Sequence, residues 1–101
     1  MNQYVALGSV VLLKGGTQKL LVIARAITVK NAEKTFFFDY GGVLYPEGLM
    51  DDKMAYFNKE DVSKVVFEGY SDIEDENILE TIETYLLENP NIIKGNAENW
   101  E

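Results

Sequence analysis

The side chains best able to do chemistry lie in the C-terminal third. Asp72, Glu74, Asp75, Glu76, Glu80, Glu83 and Glu88 follow one another with no basic residue among them. Counted from Asp72, acids fall at the first, third, fifth and twelfth positions (Asp72, Glu74, Glu76, Glu83), the spacing of a calcium-binding loop. Such a loop needs glycine sixth for its sharp turn, and Asn77 stands there. The two middle acids are also the longer Glu, and a helical apolar period runs through the whole stretch. The acids therefore read as a solvated helix face or as a docking face for a basic partner, with no metal expected.

The remaining candidates are weaker. Lys14-Gly15-Gly16-Thr17 superficially suggests a phosphate loop, but that loop requires Gly-Lys-Ser/Thr opening a helix, and here a β-like run follows. A hairpin turn is expected. Ser9, Thr17 and Ser71 have no histidine to activate them, because the chain contains none. Asp39, between Phe38 and Tyr40, is the most interesting single acid, since those neighbours could desolvate it; a strand-end side chain facing water is the plainer expectation. Carboxylate pairs are plentiful among 17 acids, and nothing in the sequence puts one pair in a pocket. An enzyme is not expected, and neither is a cofactor. The aromatic group Phe36, Phe37, Phe38, Tyr40, Tyr45, Tyr56 and Phe57 divides between core packing and a protein-binding surface, where rigid amphipathic tyrosines are favoured.

The elements that must position these groups follow from period and punctuation. Val10–Leu13 and Leu20–Ile27 are β-like runs joined through Gly15-Gly16. Phe36–Tyr40 reads as a third strand ended by Gly41-Gly42, and Val43–Tyr45 as a short fourth before the Pro46-Glu47-Gly48 turn. Asn58 is a candidate cap for a short helical piece with acids in its first turn. Val65–Phe67 is another strand. Ser71-Asp72-Ile73-Glu74 has the spacing of a capping box. The helix it opens carries the apolar stripe Ile78, Leu79, Ile82, Tyr85 and Leu86 and stops at Asn89-Pro90. Val10–Leu13 and Leu20–Ile23 are apolar at every position, so both faces need cover. Closure into a small barrel covers one; a helix or a partner chain must cover the other.

Composition sets the outer bounds. One hundred and one residues make one domain, able to bury about 65% of its unfolded surface. Apolar residues at 47% indicate a globular chain. With no cysteine, disulfides and thiolate metal sites are excluded. The N-terminus lacks signal-peptide character, and the longest apolar run, Leu20–Ala24, is far too short to span a membrane; a soluble cytoplasmic protein is expected. The net charge is −8, with fourteen of the 17 acids in residues 51–101 against four lysines. Such an acidic half repels nucleic acid and anionic lipid; it reads first as a solubility device, with docking of a basic protein as the second reading.

Several segments, taken in order, resemble one family. They are Gly8-Ser-Val-Val-Leu-Leu-Lys-Gly-Gly16, Phe38-Asp-Tyr40 through Leu44-Tyr-Pro-Glu-Gly48, Phe57-Asn58 with Glu60-Asp61, and Val65-Val-Phe-Glu-Gly-Tyr70. Their order and spacing over residues 5–88 resemble the bacterial family named domain of unknown function 4176. The resemblance implies an accessory protein of a type VII secretion locus, a cytoplasmic chaperone or targeting adaptor that binds an LXG toxin before export. It supplies no catalytic residues.

The expectation is an α+β domain over residues 1–89. It has a bent antiparallel sheet or small SH3-like partial barrel, a C-terminal amphipathic helix, and a tail over 90–101 that packs loosely or frays. Its protein-binding residues are expected to be Phe38, Tyr40, Tyr45, Tyr56, Phe57, Glu76, Glu80 and Glu83. The rival readings are an immunity protein that neutralises a toxin and a small ligand-binding domain or hydrolase.

Overall fold

The computed structural model describes residues 4–95. Five strands and one long helix follow in order: β1 (Val10–Leu13), β2 (Lys19–Asn31), β3 (Lys34–Leu44), β4 (Ala55–Phe57), β5 (Val62–Phe67) and α1 (Ile73–Glu88), with one 3₁₀ turn, Lys59–Asp61, between β4 and β5. All the strand pairs are antiparallel, and the sheet order is β4-β3-β2-β1-β5. The fold is α+β.

That order forces the sheet to bend. In a flat five-stranded sheet the outer strands would lie about 19 Å apart, four spacings of about 4.8 Å. Here they are consecutive in sequence and joined only through Asn58 and one 3₁₀ turn, which rises about 2 Å per residue. The edges must curl toward each other. Bulges assist, with register shifts between Val22 and Ala24 in β2 and at two places along β1 and β5.

The β1–β2 hairpin forms where expected. Gly15 has φ +77°, and Gly16 N–H donates to Leu13 O. Gly41-Gly42 does not end a strand, however. β3 runs through both glycines to Leu44 and pairs there with β2 and β4. A Cβ on Gly42 would lie 2.8 Å from the Leu21 carbonyl oxygen and 3.3 Å from Phe57. The glycine admits its neighbours where a side chain would hold them apart.

Val11, Leu20, Val22, Tyr40 and Phe57 form the core cluster, with Tyr4, Val5, Leu13, Ala55 and Val62 packed against it. β3 is buried without interruption from Phe37 to Val43, so both of its faces are covered. The cover comes partly from the segment after Pro90. Phe37 N–H donates to Ile93 O, Gly95 N–H donates to Phe37 O, and a Cβ on Gly95 would collide with the Phe38 ring. Residues 90–95 are thus part of the domain and not a frayed tail; Trp100 lies outside the described residues.

Helix α1 begins one residue later than the capping-box spacing implies. Its cap is Asp72, which accepts the N–H groups of Glu74 and Asp75, while Ser71 Oγ donates to Asp75 instead. The apolar stripe is only half covered. Leu79, Ile82 and Leu86 are partly buried, whereas Ile78 and Tyr85 are exposed. Among the described residues no helix is long and apolar enough to cross a membrane.

Candidate functional site

Asp39 does not face water. It sits in the middle of β3, 2% exposed, and its carboxylate takes donors from three separate parts of the chain. Tyr4 Oη donates to Oδ1 at 3.0 Å. The Lys59 N–H and Lys94 Nζ donate to Oδ2 at 2.9 and 3.0 Å. Its own N–H goes to Asn58 Oδ1, and Asn58 Nδ2 reaches Gly95 O. A cavity of about 470 Å³ opens beside it, and there Lys94 Nζ bridges Asp39 and Glu60. The lysine pairs with both acids, and the hydrogen bonds tie the N-terminal segment, β3, the 3₁₀ turn and the C-terminal segment into one network. Burial and the neighbouring Asp39 carboxylate hold the Tyr4 phenol far above its ordinary pKa. Burial likewise raises Tyr40, whose oxygen accepts the Val5 N–H.

A second polar connection joins sheet to helix. The Arg25 side chain on β2 is buried, donates to the Val5 carbonyl, and pairs with Asp75 in the first turn of α1. Hydrogen bonding from Arg25 holds the Asp75 carboxyl below its usual range. The hydroxyls weighed as nucleophiles have structural partners or open positions. Ser9 is fully buried and accepts the Gly69 N–H, Ser71 serves Asp75, and Thr17 is exposed in the hairpin turn.

Between α1 and the N-terminal segment lies a larger groove of about 780 Å³. Val5, Ala6, Leu79 and Leu86 supply its apolar lining. Glu68, Asp75, Glu76, Glu80 and Glu83 supply acids, with Lys59 as the lone cation of the lining, set 4.3 Å over the Tyr4 ring. Helical geometry explains the gathering. Residues 76, 79, 80, 83 and 86 recur at spacings of three and four, so acids and leucines share one flank of α1. The same continuous helix holds Glu74, Glu76 and Glu83 apart as a calcium loop would not, and among the described residues no group of acids is placed to hold a metal.

The residues expected to bind protein therefore separate. Glu76, Glu80 and Glu83 come together in the groove. Phe38, Tyr40 and Phe57 are at most 1% exposed and belong to the core, a correction to their reading as surface aromatics. The reason is the cover on both faces of β3. Tyr56 is partly buried and packs on Phe38, with ring centroids 5.5 Å apart. Tyr45 is exposed beside a cis Pro46, and neither tyrosine lines the groove. Sequence reasoning missed Tyr4, Val5 and Glu68 as groove residues. Only the apolar run at Tyr4-Val5-Ala6 signals that this end of the chain packs on something.

The molecule is thus a small single-sheet α+β protein whose one long helix rims an acidic groove. The chain belongs to the family described as domain of unknown function (DUF4176), whose sequence profile matches residues 4–78. The match ends inside α1, before Glu80 and Glu83 and before the segment that covers β3. No curated protein and no solved structure matches the chain.

Proposed function

We propose that this protein is a protein-binding adaptor or chaperone whose groove beneath α1 holds a cationic, partly apolar segment of its partner. The observation that carries the reading is the groove itself, with acids along the helix flank and leucine and valine between them. A basic amphipathic segment would place apolar side chains on Val5, Leu79 and Leu86 and cations against Glu76, Glu80 and Glu83. The partner that the family resemblance implies is an LXG toxin, bound in the cytoplasm before type VII export.

The test is co-expression with the LXG toxin of the same locus, followed by co-purification and titration. Wild type is expected to hold the toxin with an affinity that falls as salt rises. The triple variant Glu76→Lys, Glu80→Lys, Glu83→Lys is expected to lose it while remaining folded, because all three side chains are exposed. Salt-insensitive binding that survives triple charge reversal would remove the groove from the account. The same acids would suit an immunity protein that covers a basic toxin surface. Survival of cells expressing the toxin's active domain separates the two, since a chaperone supports export without protecting.

A further inference from the structure

The cavity beside Asp39 and the groove beneath α1 are not separate spaces. Val5, Lys59 and Leu86 line both, so a segment lying in the groove meets the cavity at these residues. The two differ in charge. The groove sets Glu68, Glu76, Glu80, Glu83 and the Arg25-paired Asp75 against Lys59. The cavity sets Asp39 and Glu60 against Lys59 and Lys94, so its acids are already matched. Between apolar walls that include Val62 and Ile92, the Lys94 ammonium lies 3.0 Å from Asp39 Oδ2 and 3.5 Å from a Glu60 carboxylate oxygen. The chain thus seats a cation of its own at the end of an acidic path. Lys94 belongs to the returning segment, which is fastened to β3 where Phe37 N–H donates to Ile93 O and Gly95 N–H donates to Phe37 O.

We infer that the cavity is the end subsite of the groove, that it takes an arginine side chain of the bound segment, and that this arginine displaces Lys94 from Asp39 and Glu60. The inference rests on the groove reading and deepens it. Charge balance makes displacement necessary. While Lys94 is in place, a further cation would enter a partly apolar space with no counter-ion left for it, which is costly. Once Lys94 withdraws, the incoming cation inherits both acids. Arginine suits the subsite better than lysine for two reasons. Its planar fork bonds two carboxylates at once, where an ammonium acts as a point charge. Its guanidinium is also the more weakly hydrated cation, so leaving water costs it less. Asp39 is the fixed half of the subsite, 2% exposed and held by Tyr4 Oη and the Lys59 N–H. Lys94 is the half that yields, with a side chain 43% exposed. The returning segment therefore holds the end of the groove shut, and occupation of the groove loosens that segment from Phe37.

The experiment is calorimetric titration of the full chain with two synthetic amphipathic peptides of equal length and charge, one with arginine as its only cation and one with lysine. Wild type is expected to bind the arginine peptide more tightly. Lys94→Met removes the internal competitor and should tighten that peptide roughly tenfold, while Lys94→Arg installs a stronger competitor and should weaken it by a similar factor. Lys94→Arg leaves the net charge unchanged, so a bulk electrostatic effect predicts no difference there. It also keeps a cation on Asp39, and so carries the test even where Lys94→Met loosens the fold. Amide exchange is the second readout, with the Phe37 and Gly95 amides expected to exchange faster in the peptide-bound protein. Equal affinity across wild type, Lys94→Met and Lys94→Arg overturns the proposal, as does slower exchange of Gly95 on binding. If the triple variant Glu76→Lys, Glu80→Lys, Glu83→Lys then still abolishes binding, the groove reading survives alone. Binding of neither peptide to wild type or to Lys94→Met removes both readings.

Discussion

β3 and β5 are built from similar material and treated in opposite ways. Phe36-Phe37-Phe38 and Val65-Val66-Phe67 are both unbroken apolar triplets. In β3, Phe37 and Phe38 are at most 1% exposed. The sheet interior takes one face, while residues 93–95 lie against Phe37 and Phe38 on the strand's other side. In β5 every residue after Val62 is exposed. The difference comes from position in the sheet and from where the chain goes next. β3 lies one strand in from the edge and receives the returning C-terminal segment through Phe37, Asp39 and Gly95. β5 lies at the edge, and the chain leaves it for a helix that packs elsewhere. An apolar strand states a demand for cover, and only tertiary structure decides whether the same chain meets it.

Paired truncations should expose this contrast most strongly. Phe38→Ala is expected to cost about 3–5 kcal/mol, because it opens a cavity between Tyr56 and Gly95. Phe67→Ala should cost less than about 1 kcal/mol, since most of its side chain is already in water. Urea denaturation at low protein concentration measures both, and equal costs would break the comparison.

Next come the polar ties that fasten cover onto the sheet. Arg25→Met leaves Asp75 without its cation at the sheet–helix boundary and should cost about 3 kcal/mol. It should also alter acid stability. The Asp75 carboxyl titrates lower in the folded protein than its ordinary 3.8. Its contribution is therefore full above that value and is lost as pH falls through the folded pKa. Melting temperature against pH should show a wild-type acid limb below about pH 4 that flattens in Arg25→Met. At the opposite extreme, Tyr4 and Tyr40 titrate above their ordinary 10.0. The unfolded chain releases those protons first, so stability should fall as pH rises beyond 10.0, and less so in Tyr4→Phe.

A smaller loss than that of Arg25→Met is expected at Asp39. Asp39→Asn keeps one acceptor oxygen, enough for Tyr4 or for the Lys59 N–H but not for both, and loses the charge that holds Lys94. About 1–2 kcal/mol is expected, read by denaturation, with faster hydrogen exchange at the Phe37 and Gly95 amides as the returning segment loosens.

Much of the framework was legible from local signals. Gly15-Gly16 marked the first hairpin, the four-residue apolar run marked β1, and Pro90 marked the end of α1. Two-faced apolarity in β1 and β2 called for cover on both sides, yet only Val11, Leu20 and Val22 are sealed, while Ile23 on β2 stays exposed. The misreadings share a cause. Gly41-Gly42 resembles a strand terminus until Leu21 and Phe57 are seen to crowd it. Asp39 resembles a strand-end acid until Tyr4, Lys59 and Lys94 arrive from 20 to 55 residues away. Ile78 and Tyr85 share the helical period of Leu79 and Leu86, yet only one flank of the helix meets the domain. Period identifies a face and not its neighbour. The groove acids were visible as a helix flank, but their apolar companions Val5 and Ala6 come from the other end of the chain.

Residue-resolved amide exchange across a protein dilution series examines the division between the sealed strand and the open one most directly. Amides of Phe37 to Gly42 should exchange slowly at every concentration. The amides of Val65 to Phe67 that point away from β1 should exchange fast at every concentration. Slow exchange of β5 at the greatest dilution, matching that of β3, would contradict the account, because it would mean that this edge already has its cover within one chain.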